Sequence, residues 1–428
     1  MFPAPQILAV LVITTPIILV SDALITYGIV SVIASVSVAI IALRVRPGEA
    51  TFLWSVIDAV AFVAAIPAIC MLIQILPLPD IPLANPVWQS AASALGRPLA
   101  GSISIDPGAT LIVLAQYLST LAIGFVAAAI AIDRHRAERI LLALTTATTV
   151  IALMLLATDL GVFAFISVGE VGSARNAATN CAALGVVFAA TTLLHFGTKR
   201  VGSTAWLWVT FASFVAVVIC SLAVISAGTS QTQFAVICGV TTLAIVVVIR
   251  IFRLGPWGCS AIVAIVFVLA TSTIVLQPNI QSMGLTLAFA KAPEPLIAVT
   301  QAILADVRWV GTGAGTFSAV VPIYGGFDAM AAGAIAPNAL SAMIIEMGRP
   351  FFWAAFVATI IFIISLLRSA VQRGRDFFYA AAGAACVVTI TLLAFGNAIF
   401  SAPIVILVAT ALGIATAQSK SRSARSTA

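Results

Sequence analysis

From residue 6 to residue 417 the chain is a succession of uncharged apolar runs, most of them roughly 18 to 25 residues long, the length that crosses roughly 30 Å of hydrocarbon as helix. The runs are continuous and lack the period-two alternation of a membrane β-barrel. Backbone groups in lipid must also bond internally, so helix is the spanning form. Only 8% of residues are charged and 62% are hydrophobic. A soluble domain carries about 25% charged residues, so this chain has too little charge for a water-facing surface. The expected fold class is all-α: a polytopic transmembrane helical bundle of about 12 spanning helices, with residues 1–428 forming a single integral-membrane domain.

The spans read as roughly 6–20, 24–43, 52–76, 109–132, 140–158, 176–196, 205–226, 232–249, 259–276, 350–367, 377–396 and 399–417. The N-terminal run has no charged segment before it and leads straight into another, so it reads as a retained span, not a cleaved signal. Of the 20 Lys and Arg, 15 follow even-numbered spans; the other five are Arg97, Arg175, Lys291, Arg308 and Arg349. Cytoplasmic loops hold the excess of Lys and Arg, so both termini are expected inside. The net charge of +6 is thereby explained by topology, without a nucleic-acid surface. The six cysteines, Cys70, Cys181, Cys220, Cys238, Cys259 and Cys386, fall in or beside apolar runs without CxxC spacing and read as small buried residues.

The outer side carries two sizeable loops. Residues 77–108 are rich in proline, and 277–349 form a long periplasmic loop between spans nine and ten. Loops that long are usually functional. Within it, 293–307 has the spacing of a helix lying on the membrane surface. Gly311, Gly313 and Gly315 follow no strand, so they read as a turn or close backbone packing, not a nucleotide cradle. The Ser/Arg/Lys-rich stretch 418–428 reads as a disordered cytoplasmic tail.

A few charges need more than topology. Asp58 lies inside span three, where a carboxylate needs a proton or a partner. Arg175 opens span six on the outer side, either reaching for lipid headgroups or offering a guanidinium fork to phosphate oxygens at a helix N-terminus. Lys291, Glu294, Asp306, Arg308, Asp328, Glu346 and Arg349 gather on the long loop. His135 and His195 both fall on the cytoplasmic side and read as topological or solvated, leaving no histidine as an outer-face base.

Several of these segments resemble the O-antigen ligase and O-antigen polymerase superfamily. Asp306-Val307-Arg308-Trp309-Val310-Gly311-Thr312-Gly313-Ala314-Gly315-Thr316-Phe317, followed by Pro322-Ile323-Tyr324, resembles the family's long periplasmic loop. Pro337-Asn338 and Glu346-Met347-Gly348 occupy its "H-N … E-x-G" segment. Gln74-Ile75-Leu76-Pro77-Leu78-Pro79, Ser104-Ile105-Asp106-Pro107-Gly108-Ala109-Thr110 and Arg175-Asn176 resemble further family segments in the same order.

The resemblance implies a metal-independent glycosyltransferase with no cofactor. It would move glycan from an undecaprenyl-diphosphate-linked donor to an acceptor glycan or lipid at the periplasmic face, among membrane lipids and envelope-assembly proteins. It implies substrate contacts at Arg175, Asn176, Arg308 and Asn338. The family's loop histidine falls at Pro337, and cations usual elsewhere fall at Gln231 and at Glu294 or Gln301. Glu346 or Asp328 is then left as the base. The same departures fit a non-catalytic scaffold or lipid-linked-glycan binder. A transporter or flippase rests on Asp58 alone.

Overall fold

The computed structural model describes the chain apart from residues 1–3, 21–23, 45–62, 78–83, 163–170, 199–203, 253–286, 288–291, 332–335, 373–376, 397–400 and 422–428. Asp58, Lys291, Cys259 and the expected span 259–276 lie outside the described residues. The protein is a polytopic bundle of apolar helices, and no strand occurs among the described residues. Among the described residues, eight helices are long and apolar enough to cross a membrane. They are α3 (Leu24–Arg44), α6 (Pro107–Ile130), α7 (Arg134–Asp159), α8 (Val171–Gly197), α9 (Thr204–Ser226), α10 (Ser230–Phe252), α14 (Arg349–Gln372) and α15 (Phe378–Phe395). Shorter elements are α1 (Ala4–Ile13), α2 (Thr15–Val20), α4 (Val63–Ile75), α5 (Val87–Leu95), α11 (Glu294–Asp306), α12 (Phe317–Ala331), α13 (Ala339–Met347) and α16 (Ala402–Ser421).

Two expectations change here. The run 6–20 is not one helix: it breaks at Thr14, between α1 and α2. Pro16 has no N–H to donate to Val12, and its ring crowds that carbonyl. The Thr15 hydroxyl takes over the Val12 oxygen at 2.7 Å. At the other end, α16 continues through Ser421, so the first residues of the expected disordered tail are helical. The Gln418 amide donates to the Ala131 carbonyl and fastens that turn to the end of α6.

The central helix is α8, buried almost all round and packed against α7, α9, α10 and α15. Its sequence explains this. Ala177, Ala178, Cys181, Ala182, Ala183 and Ala189 are small and fully buried, and small residues let helix backbones approach closely where hydrocarbon gives no hydrophobic drive to association. Close approach recurs between α6 and α16, where a Cβ on Gly413 would lie 2.4 Å from the Gly124 carbonyl oxygen. By contrast α14 keeps most of its surface outward.

The bundle has two distinct ends. Phe395 at the end of α15 packs edge-on against Phe234 at the start of α10, 5.8 Å between ring centroids. There too Asn338 Nδ2 donates to Ala394 O at 3.1 Å. At the opposite end His195, closing α8, lies 5.1 Å from Phe378, opening α15. The starts of α8 and α10, the end of α15 and the start of α13 therefore share one end.

Candidate functional site

At that end the segments 84–110, 308–317 and 345–348 and the end of α4 tie into a single knot of hydrogen bonds. Its hub is Gln74, buried at the last turn of α4. Its amide nitrogen donates to Val310 O at 3.1 Å and Glu346 O at 3.0 Å, and its amide oxygen accepts from Ala314 N at 3.2 Å. Both donors and one acceptor site of the amide are thus used, as burial requires. Gln74 O accepts from Ser104 N at 3.0 Å, Thr312 O from Ile105 N at 2.9 Å, and Ile345 O from Thr312 N at 3.0 Å. Trp88 Nε1 donates to Ser104 O at 3.0 Å. Met71, Leu114, Ala314 and Met347 form the apolar floor beneath.

The Gly311–Gly315 cluster serves close backbone packing. A Cβ on Gly311, whose φ is +76°, would meet Glu346 O at 2.3 Å. Helix α11 forms where its spacing indicates, but it does not lie openly on the membrane. It buries Leu296 and Ile303 against Phe317, Val320 and Val321 of α12 and Ile345 of α13.

The resemblance-derived residues divide into three groups. Glu346 is half-buried, and Oε1 of its carboxyl accepts from Phe317 N at 3.1 Å, at the first turn of α12. Burial pushes this carboxyl up to about 7, with the Gly315 and Phe317 backbone N–H groups pulling the other way. Asn338 is fully buried and caps α13, accepting from Ser341 N at 2.9 Å. The structure thus employs it in holding α13 to α15. Arg308 Nη1 donates to Ala84 O at 2.9 Å. Asp328 lies on α12, with its side chain outside the described residues.

Arg175 and Asn176 lie at the same end, one turn inside α8, which begins at Val171 and not at Arg175 as expected. Arg175 Nη2 is 2.8 Å from Asp159 Oδ1, on the last residue of α7, and Asp159 Oδ2 accepts from Ser226 Oγ, the last residue of α9, at 3.0 Å. Asp159 therefore gathers three helix ends. An acid placed directly after span five, facing an arginine across a short loop, is the signal for it in the sequence.

The opposite end corrects the reading of His195. It is not solvated: its side chain is buried, with Nε2 3.3 Å from Glu138 Oε1 on α7 and its ring between Phe196 and Phe378. Glu138 also pairs with Arg134, one turn earlier, at 3.3 Å. The separation of 57 residues between His195 and Glu138 hides the pair from local inspection.

No protein-family model matches this sequence, and neither does any curated protein. Fold and site together define a multi-pass helical membrane protein with a knotted polar structure at one end of its bundle.

Proposed function

We propose that this protein works in cell-envelope polysaccharide biosynthesis, handling a glycan carried on undecaprenyl diphosphate at the periplasmic face of the bacterial inner membrane. One observation carries the reading. The segments around Gln74, Ser104, Gly311–Phe317 and Glu346, up to 272 residues apart and each resembling part of one superfamily, bond to one another. The chemistry asks for a cation to hold the diphosphate leaving group and a base to take the proton of the acceptor hydroxyl. Arg175 is the proposed diphosphate contact, with Arg308 second. Glu346 is the proposed base, since a carboxyl raised to about 7 accepts a proton at neutral pH more readily than an ordinary one. Asp328 is the alternative.

A second reading, a non-catalytic binder of lipid-linked glycan, is favoured by particular residues. Pro337 stands where the resembled family has histidine, the Glu346 carboxyl is engaged with the backbone of the knot, and Arg175 is matched by Asp159. Deleting the gene is expected to shorten or abolish a surface polysaccharide, and complementation with Arg175→Ala is expected to leave the defect in place. The Arg175–Asp159 pair is partly exposed and contributes at most about 1 kcal/mol, so the variant should accumulate normally. An unchanged glycan profile in both strains contradicts the proposal. Purified protein that binds the lipid-linked donor without turnover selects the second reading.

A further inference from the structure

We infer that the Trp309 turn is an interfacial anchor, seating the knotted end of the bundle in the phospholipid headgroup layer. The inference does not rest on the proposed function. It rests on the height of the turn, the exposure of its indole and the apolar surface of the helices it touches.

The height is set by backbone contacts to the ends of two apolar helices. The Trp309 carbonyl lies so close to Gly348 that a Cβ there would be 2.0 Å from its oxygen, and Gly348 immediately precedes Arg349, the first residue of α14. The next carbonyl, Val310 O, accepts from Gln74 Nε2 at 3.1 Å, within the last turn of α4. The turn therefore sits level with the ends of both helices, where hydrocarbon gives way to headgroups if they cross the membrane.

The Trp309 side chain is 81% exposed. The two helices whose ends the turn touches expose apolar residues: Trp353, Val357 and Ile361 on α14, Ile69 and Leu72 on α4, and Leu76 just past its end, all exposed in the bundle. These residues have the composition of a lipid-facing belt, and the backbone of the Trp309 turn is tied to the ends of both helices that carry them. An indole carries a broad apolar ring and one polar N–H, and this combination favours the membrane–water boundary. Arg308 precedes it and Arg349 stands at the start of α14. Arg308 donates to Ala84 O at 2.9 Å and Arg349 to Leu304 O at 2.7 Å, which fixes both guanidinium groups at this end. Cations at that height meet the phosphate layer. An exposed aromatic ring with one arginine before it in the turn and another at the start of the adjoining apolar helix favours phospholipid over a sugar or a protein partner.

The test uses the full-length protein in nanodiscs of phosphatidylethanolamine and phosphatidylglycerol, brominated either near the top of the acyl chain or at its middle. The chain has seven tryptophans, so the Trp309 signal is read as the difference between wild type and Trp309→Phe. Trp353→Phe, about one turn inside α14, serves as the control that the bromines are sensed. Shallow bromines are expected to quench the Trp309 component about twofold more than deep ones. Quenching by aqueous iodide with no response to either bromine overturns the inference, leaving the indole for a soluble partner. So does equal or stronger quenching by the deep bromines. Should Trp309→Phe fail to fold, a nitroxide on Arg308→Cys reports the same depth through its relative access to oxygen and to aqueous nickel. Access matching a free aqueous label then overturns it.

Discussion

Gly348→Ala is expected to unseat the knot, lowering stability by roughly 3 kcal/mol or more. Gly348 has φ 87° and ψ 158°, a region of backbone space open essentially to glycine alone, where another residue costs about 1–3 kcal/mol in strain. The clash adds to this. The new methyl would stand 2.0 Å from the Trp309 carbonyl oxygen, and a backbone atom held by its own turn cannot rotate away as a side chain can. The check is thermal unfolding in detergent together with limited proteolysis across 306–348, where cleavage is expected to rise sharply. Gly28→Ala is the matched control. Gly28 lies in helix α3 with nothing within 4 Å of its would-be Cβ, so alanine there should be neutral or slightly stabilising. Equal behaviour of the two variants would remove the close-packing explanation of the 308–317 and 345–348 contacts.

Stability of the knot is expected to fall as pH rises between about 4.5 and 7. Burial lifts the Glu346 carboxyl from an ordinary 4.5 to about 7. The folded state therefore holds its proton where the unfolded chain has lost it. The sign follows: the contribution is fully present below about 4.5, declines as pH rises toward 7, and is gone above it. The full swing is roughly 3 kcal/mol at about 1.4 kcal/mol per pH unit of separation. Glu346→Gln keeps an oxygen to accept from Phe317 N and cannot ionise, so it is expected to flatten this dependence. Hydrogen exchange of the 311–317 amides measured across that range reads it directly. Protection that increases with pH, or a slope that survives in Glu346→Gln, contradicts the assignment.

How much of this was legible beforehand depends on the range of the interaction. The spanning helices follow from the length of the apolar runs, a local property, and α6 through α10 and α14 and α15 form close to where those runs lie. The break at Thr14 was equally local, since Pro16 is plain to see in the first run. The glycines at 311, 313 and 315 announced close packing, but not against what. Their partners, Ser104 and the backbone at 346, are distant in sequence, as are the three groups that meet the Gln74 amide. A glutamine at the end of an apolar run gives no hint of which carbonyls it will join. Asn338 shows the limit of reading a role from a motif. The resemblance makes it a substrate contact, while the structural work its carboxamide does, capping α13 and bonding to α15, is written in no motif. The His195–Glu138 pair needs tertiary structure for the same reason, at a separation of 57 residues, whereas Asp159, 16 residues before Arg175, has a local signal.

The reading as a whole turns on the knot facing away from the cytoplasm, since transfer from an undecaprenyl-linked donor is proposed for the periplasmic face. Sided labelling measures this. Arg97 follows α5 within the knotted end and His135 opens α7 at the opposite end, and both are exposed. With a membrane-impermeant maleimide on spheroplasts, and the wild-type chain as background for its own cysteines, Arg97→Cys is expected to react in intact cells and His135→Cys only after lysis. Labelling of His135→Cys in intact cells, with Arg97→Cys protected until lysis, would put the knot in the cytoplasm and contradict the proposed function.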